Sequence, residues 1–120
     1  MKEDIKTAIS AHGAWKARLK TAIDSGKIET PIATIRQDNQ CIFGKWLYGS
    51  TITAEVRSSP NYKTARELHA DFHKAAGEVA ELATAGKKAE AEKMLALGGK
   101  YADASAKLTT AMMAWLKDVD

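Results

Sequence analysis

The sequence has 120 residues, 45% hydrophobic and 28% charged, with 18 Lys and Arg against 15 Asp and Glu, three His and a single Cys. Those proportions predict one globular domain over 1–120 with enough apolar material for a core. They exclude a disulfide-stapled scaffold, a disordered chain and insertion in a membrane, since no apolar run approaches ~20 residues. The basic side chains are interleaved with acidic ones, so a pI of 9.0 does not predict nucleic-acid binding, and the charged start Met1-Lys2-Glu3-Asp4 lacks a secretory core, which predicts a reducing, cytoplasmic setting.

In chain order, the first predicted helix runs from about Glu3 to Asp24, with Ile5, Ala8, Ile9, His12, Trp15, Leu19, Ala22 and Ile23 spaced as one helix face requires. Thr30-Pro31 reads as an N-cap followed by proline in the first turn. The second helix, with a break near Asn39, carries Ile32, Ile35, Ile42, Phe43, Trp46 and Leu47. Gly49 to Asn61 reads as a connection with a short turn at Ala54–Arg57. A third helix spans about Tyr62 to Ala85 on a stripe of Ala65, Leu68, His69, Phe72, His73, Ala76, Val79 and Leu82. A fourth spans about Lys87 to Lys117, with Gly98-Gly99 marking a kink or a close approach to another backbone. The expected fold is all-α: an antiparallel four-helix bundle with a short extra helix between the second and third.

All three histidines fall on core stripes. Burying an imidazole without a partner costs roughly 1–3 kcal/mol, so three of three needs a shared cause. His69 and His73 are four apart, on one helix face with Cβ atoms about 5–6 Å apart. Ala70 follows His69, so the pair is not the metalloprotease motif with its general-base Glu. Cys41 has three readings: a small buried hydrophobe, a Cys–His nucleophile, or a metal ligand. The nucleophile reading lacks an orienting third group. The ligand reading joins Cys41 to His12, His69 and His73 as one sulfur and three nitrogens, a set that suits tetrahedral Zn²⁺.

His12-Gly13-Ala14-Trp15, Cys41-Ile42-Phe43-Gly44-Lys45-Trp46 and His69-Ala70-Asp71-Phe72-His73, in that order, resemble the three signatures of the chemoreceptor zinc-binding domain family. The resemblance implies a helical bundle, commonly a homodimer, with Zn²⁺ held by His12, Cys41, His69 and His73. It also implies a place in bacterial cytoplasmic signalling, attached to chemoreceptors or diguanylate cyclases, and sensing of zinc or of oxidants such as hypochlorous acid. No signalling hairpin or cyclase sequence follows Asp120, so the chain is expected to be either free-standing or part of a larger protein.

Four protein ligands leave no open position for a catalytic water, so no enzymatic activity is expected. A metal-bound Cys41 is a thiolate, the form that oxidants attack. Its helix, with Gly44 beside it, is the segment expected to move when that bond weakens. Trp15, Trp46 and Phe72 are expected to pack around the ligands, and Asp38 and Asp71 to lie at the surface. Met94, Met112, Met113, Trp115 and Leu116 exceed what one bundle face needs and suggest a dimer contact. Two competing functions are a helical interaction module with a purely structural metal and a small metalloenzyme or di-iron bundle with oxygen chemistry. The di-iron reading is disfavoured because no Glu-x-x-His pair is present.

Overall fold

Seven helices form in the computed structural model, which describes residues 1–119: α1 (Lys2–Ser25), α2 (Ile32–Arg36), α3 (Ile42–Leu47), α4 (Ala54–Arg57), α5 (Pro60–Thr84), α6 (Lys88–Leu95) and α7 (Lys100–Val119). There is no strand among the described residues. The two long helices α1 and α5 pack together, and α7 packs on both, most extensively on α5. This is the expected all-α bundle, with its second and fourth members each divided in two.

Local chemistry explains the boundaries. Ser59 caps α5 by accepting from the Tyr62 N–H at 3.3 Å, with Pro60 in the first turn where its missing N–H is not needed. At the far end, the Lys87 N–H reaches the Leu82 carbonyl at 2.9 Å and the Gly86 N–H reaches that of Ala83 at 3.3 Å, the paired bonds that close a helix into a tight turn. Thr53 caps the short α4 through the Val56 N–H.

Three expectations are corrected. Pro31 stands at the N-cap of α2 rather than inside it, and the Thr30 hydroxyl accepts from Arg18 at 3.1 Å instead of capping the helix. The kink at Gly98-Gly99 is a full break. Gly98 takes φ +84°, a left-handed conformation that stops a helix, and a Cβ on Gly99 would sit 2.2 Å from the Lys93 carbonyl oxygen. Ile42, placed on a core stripe, is 78% exposed, because Cys41 restarts the helix and turns Phe43 and Leu47 inward instead.

The rest of the inward pattern holds. Ile5, Leu19 and Ile23 of α1, Phe72 and Val79 of α5, and Tyr101, Leu108, Met112 and Trp115 of α7 form one continuous core. Ile9, Trp15, Leu68, Leu82, Met94 and Leu116 are half-buried at its margin. Most of the apolar excess on the last helices is therefore used inside the chain, leaving Met113 exposed.

Candidate metal centre

Three separate elements deliver the polar side chains to one point in this core. His12 comes from the middle of α1, His69 and His73 from successive turns of α5, and Cys41 from the N-cap of α3. All three histidines are buried, and Cys41 is half-buried. Among the described residues this is the group of His, Cys and carboxylate side chains close enough to share an ion, with its donor atoms all within 4.8 Å of one another.

Two of the three ring orientations are set from outside, while the Nδ1 of His69 is buried without a hydrogen-bond partner. The Nδ1–H of His12 donates to the Ala8 carbonyl at 2.8 Å, and the Nδ1–H of His73 donates to the Ile35 carbonyl at 2.8 Å. Each bond turns Nε2, with its lone pair, toward the centre. His69 Nε2 lies 3.0 Å from Nε2 of His12 and 3.0 Å from that of His73. The Cys41 sulfur lies 3.3, 3.5 and 3.9 Å from Nε2 of His69, His73 and His12. Donors bound tetrahedrally to zinc at its usual bond lengths stand about 3.3–3.7 Å apart. Without a cation, lone pairs meet lone pairs here, because one shared proton on His69 can serve only one neighbour. The donor set therefore fits Zn²⁺, and the spacings straddle the tetrahedral values, from 3.0 Å to within 4.8 Å.

The electrostatics agree. Burial, reinforced by the neighbouring imidazoles, pulls His12 down to about 4 and His69 to about 2, and burial also lowers His73. The rings are thus neutral at physiological pH, the form that ligates. Burial pushes the Cys41 thiol up, against the stabilising N–H of Gly44, which approaches the sulfur at 3.3 Å. A divalent cation held by these four side chains would override that burial and keep the sulfur as thiolate.

Aromatic rings wall the centre. The Phe72 ring meets His12 edge-on at 5.0 Å and His73 at 5.5 Å. Phe43 meets His69 at 5.0 Å and His12 at 5.7 Å, stacks against Trp46, and Trp46 in turn lies against Trp115. Trp15 stands further out, beneath the Arg18 guanidinium at 3.9 Å. Asp71 is exposed as expected, while Asp38 is half-buried and accepts from the Tyr48 hydroxyl at 2.5 Å, tying together the two ends of the Cys41 loop. One side of the centre opens onto a groove of about 450 Å³ between α1 and the α2–α3 segment, whose lining includes His12, Cys41, Phe43 and His73.

All four side chains chosen from the sequence converge. Sequence reasoning missed the polar partners supplied by main chain, which are the carbonyls of Ala8 and Ile35 and the N–H of Gly44. Residue type does not reveal these. Phe43 stood on the predicted stripe, but its contact with two imidazoles becomes visible only once Cys41 is placed as an N-cap.

A helical bundle that gathers three imidazoles and a thiol from three elements, with main-chain bonds presetting two of the three rings, is a metal-binding domain. The sequence model of the chemoreceptor zinc-binding domain matches residues 12–80, more than half of the chain and all four clustered side chains, and the protein belongs to that family of zinc-binding, regulatory sensory domains. No curated protein and no solved structure matches the chain. Among the described residues, no helix is long and apolar enough to cross a membrane.

Proposed function

We propose that this domain reports zinc availability, oxidants such as hypochlorous acid, or both, to a signalling partner, with His12, Cys41, His69 and His73 as the zinc ligands and Cys41 as the responsive one. The observation that carries the proposal is the convergence of three Nε2 atoms on one sulfur that also lines a surface groove. The ion supplies a fixed positive charge that lowers the thiol's proton affinity; the chain supplies the rest. The groove lets a small oxidant reach the sulfur. The thiolate takes chlorine from hypochlorous acid as hydroxide leaves, water then displaces chloride from sulfur with loss of a proton, and sulfur ends oxidised by two electrons as the sulfenic acid. The altered donor holds less tightly, and α3, anchored through Cys41, is the segment released.

Four protein donors close the coordination sphere, so the site regulates rather than hydrolyses. A cytoplasmic bacterial setting, a chemoreceptor or diguanylate cyclase as output, and a homodimer complete the proposal. The exposed Met113 beside half-buried Leu116 on α7 supports the homodimer, and sedimentation as a clean 13 kDa species would remove it.

Native mass spectrometry with and without oxidant tests the central claim. One zinc per chain is expected, lost as a single oxygen is gained at Cys41. Cys41→Ala is expected to lose high affinity, and wild-type affinity in that variant under chelator competition refutes its role. Chelation separates the structural alternative, because a sensor stays folded when stripped and a structural site unfolds.

A further inference from the structure

Helix α2 has only five residues and contributes no ligand, yet its last turn lies along one line of α5. His73, Gly77 and Glu81 are spaced four apart on α5 and share a face. Each meets a different part of Ile35-Arg36. The Ile35 carbonyl is one of the helix-end acceptors that α2 cannot satisfy internally, and it takes the Nδ1–H of His73 at 2.8 Å. The Arg36 stem crosses α5 at Gly77, where a Cβ would lie 2.2 Å from its Cγ and 3.0 Å from its Nε. The Arg36 guanidinium then pairs with the Glu81 carboxylate. Buried Ile35 fixes the same turn from the core side.

We propose that Arg36, seated in the notch at Gly77 and tied to Glu81, is a positioning residue for the metal centre: it presses the Ile35 carbonyl onto His73 and thereby fixes which ring nitrogen faces the ion. The inference rests on His73 being a ligand. The notch is the decisive part. Both partners of the ion pair are substantially exposed, so the pair alone gives a weak hold. The absent Cβ is what leaves room for the Arg36 stem to lie flat against α5, and that stem is the strut holding the adjoining Ile35 carbonyl on the ring.

The test is a cycle of Gly77→Ala, Arg36→Ala and the double variant in the whole domain. It is read by zinc affinity under chelator competition, by thermal melting without metal, and by ¹⁵N NMR of the histidine side chains. Gly77→Ala is expected to weaken zinc about tenfold, the low end for losing a partner of a metal-bound His. The metal-free domain should melt no lower, since alanine favours the interior of α5. The His73 Nδ1–H signal should broaden or shift. Arg36→Ala is expected to weaken zinc about threefold, as for a lost exposed ion pair. Removing the stem frees the space for the Cβ, so the double variant should match Arg36→Ala rather than multiply the two losses. Wild-type zinc affinity in Gly77→Ala, or multiplicative losses in the double variant, overturns the proposal. His73→Ala is the separate control. If it binds zinc as the wild type does, the ligand assignment fails first; if it loses zinc while Gly77→Ala does not, only the positioning role fails.

Discussion

Replacing Gly44 by alanine probes how tightly the Cys41 loop is folded back on its own helix. A Cβ at this position would stand 1.8 Å from the Asp38 carbonyl oxygen, 2.8 Å from its carbon and 2.9 Å from the Asn39 Cα. All three are main-chain atoms, so no rotamer change relieves the clash. Opening the shortest contact to an ordinary separation moves loop and helix apart by about 1.6 Å. Overpacking of this kind costs about 1–3 kcal/mol, and the helix preference of alanine over glycine returns about 0.5–1 kcal/mol, so the metal-free domain should lose roughly 1–2 kcal/mol. Zinc binding should suffer more. The Gly44 N–H lies 3.3 Å from the Cys41 sulfur, and both move together against fixed rings on α1 and α5. Metal–ligand distances tolerate only about 0.2 Å. We therefore expect at least a tenfold (~1.4 kcal/mol) loss of zinc affinity. Urea unfolding of the stripped domain and chelator competition measure the two effects separately. Ile42→Ala, at the exposed neighbouring position, should leave both unchanged. If Gly44→Ala shows wild-type stability and wild-type zinc affinity, the loop is not packed on α3 as described, and the account of Cys41 placement fails with it.

The Tyr101 hydroxyl is buried without a hydrogen-bond partner, so Tyr101→Phe should raise the urea midpoint by about 1 kcal/mol equivalent; a clear destabilisation would show that the hydroxyl is satisfied. Ser59→Ala should cost about 1 kcal/mol by uncapping α5 while leaving zinc affinity intact, and a matching loss of zinc would contradict the distance between cap and site. For the metal-free domain, the histidines titrate below their ordinary 6.5, at about 4 for His12. Between those values the unfolded chain binds more protons than the native one. Stability is therefore full above pH 6.5 and declines as pH falls toward 4. Urea midpoints at pH 7.5 and 5.5 check the sign, and equal midpoints would mean the rings are not desolvated.

The long helices and the site were legible in the sequence for the same reason: a side chain of the wrong polarity interrupts a regular stripe. His12, His69 and His73 each occupy a position that the 3.6-residue period assigns to the core, and their burial follows from Ile5, Leu19, Phe72 and Val79 around them. The shorter pieces were harder to resolve. Periodicity carried α6 straight through Gly98 because apolar residues resume in phase at Tyr101, whereas the backbone there needs a left-handed residue that a periodic pattern does not register. The expected break near Asn39 is present, but Ile42 leaves the predicted stripe because that stripe continues in phase across the break. In the structure Cys41 takes extended backbone angles as an N-cap and resets the phase. The partners that orient the rings are carbonyl groups common to every residue, so only the fold distinguishes Ala8 and Ile35 from their neighbours.

The stacking of Trp46 of α3 on Trp115 of α7, at 5.6 Å between centroids and 38° between planes, has an optical consequence. Two indoles that close couple their strong electronic transitions and produce a paired far-ultraviolet dichroism signal whose size falls steeply with separation. One member rides on the segment that bears the thiol, and the other is anchored in a helix that contributes none of the four clustered side chains. The pair is thus a built-in ruler between α3 and α7, and if α3 undocks as proposed, the collapse of that signal would report it in unlabelled protein.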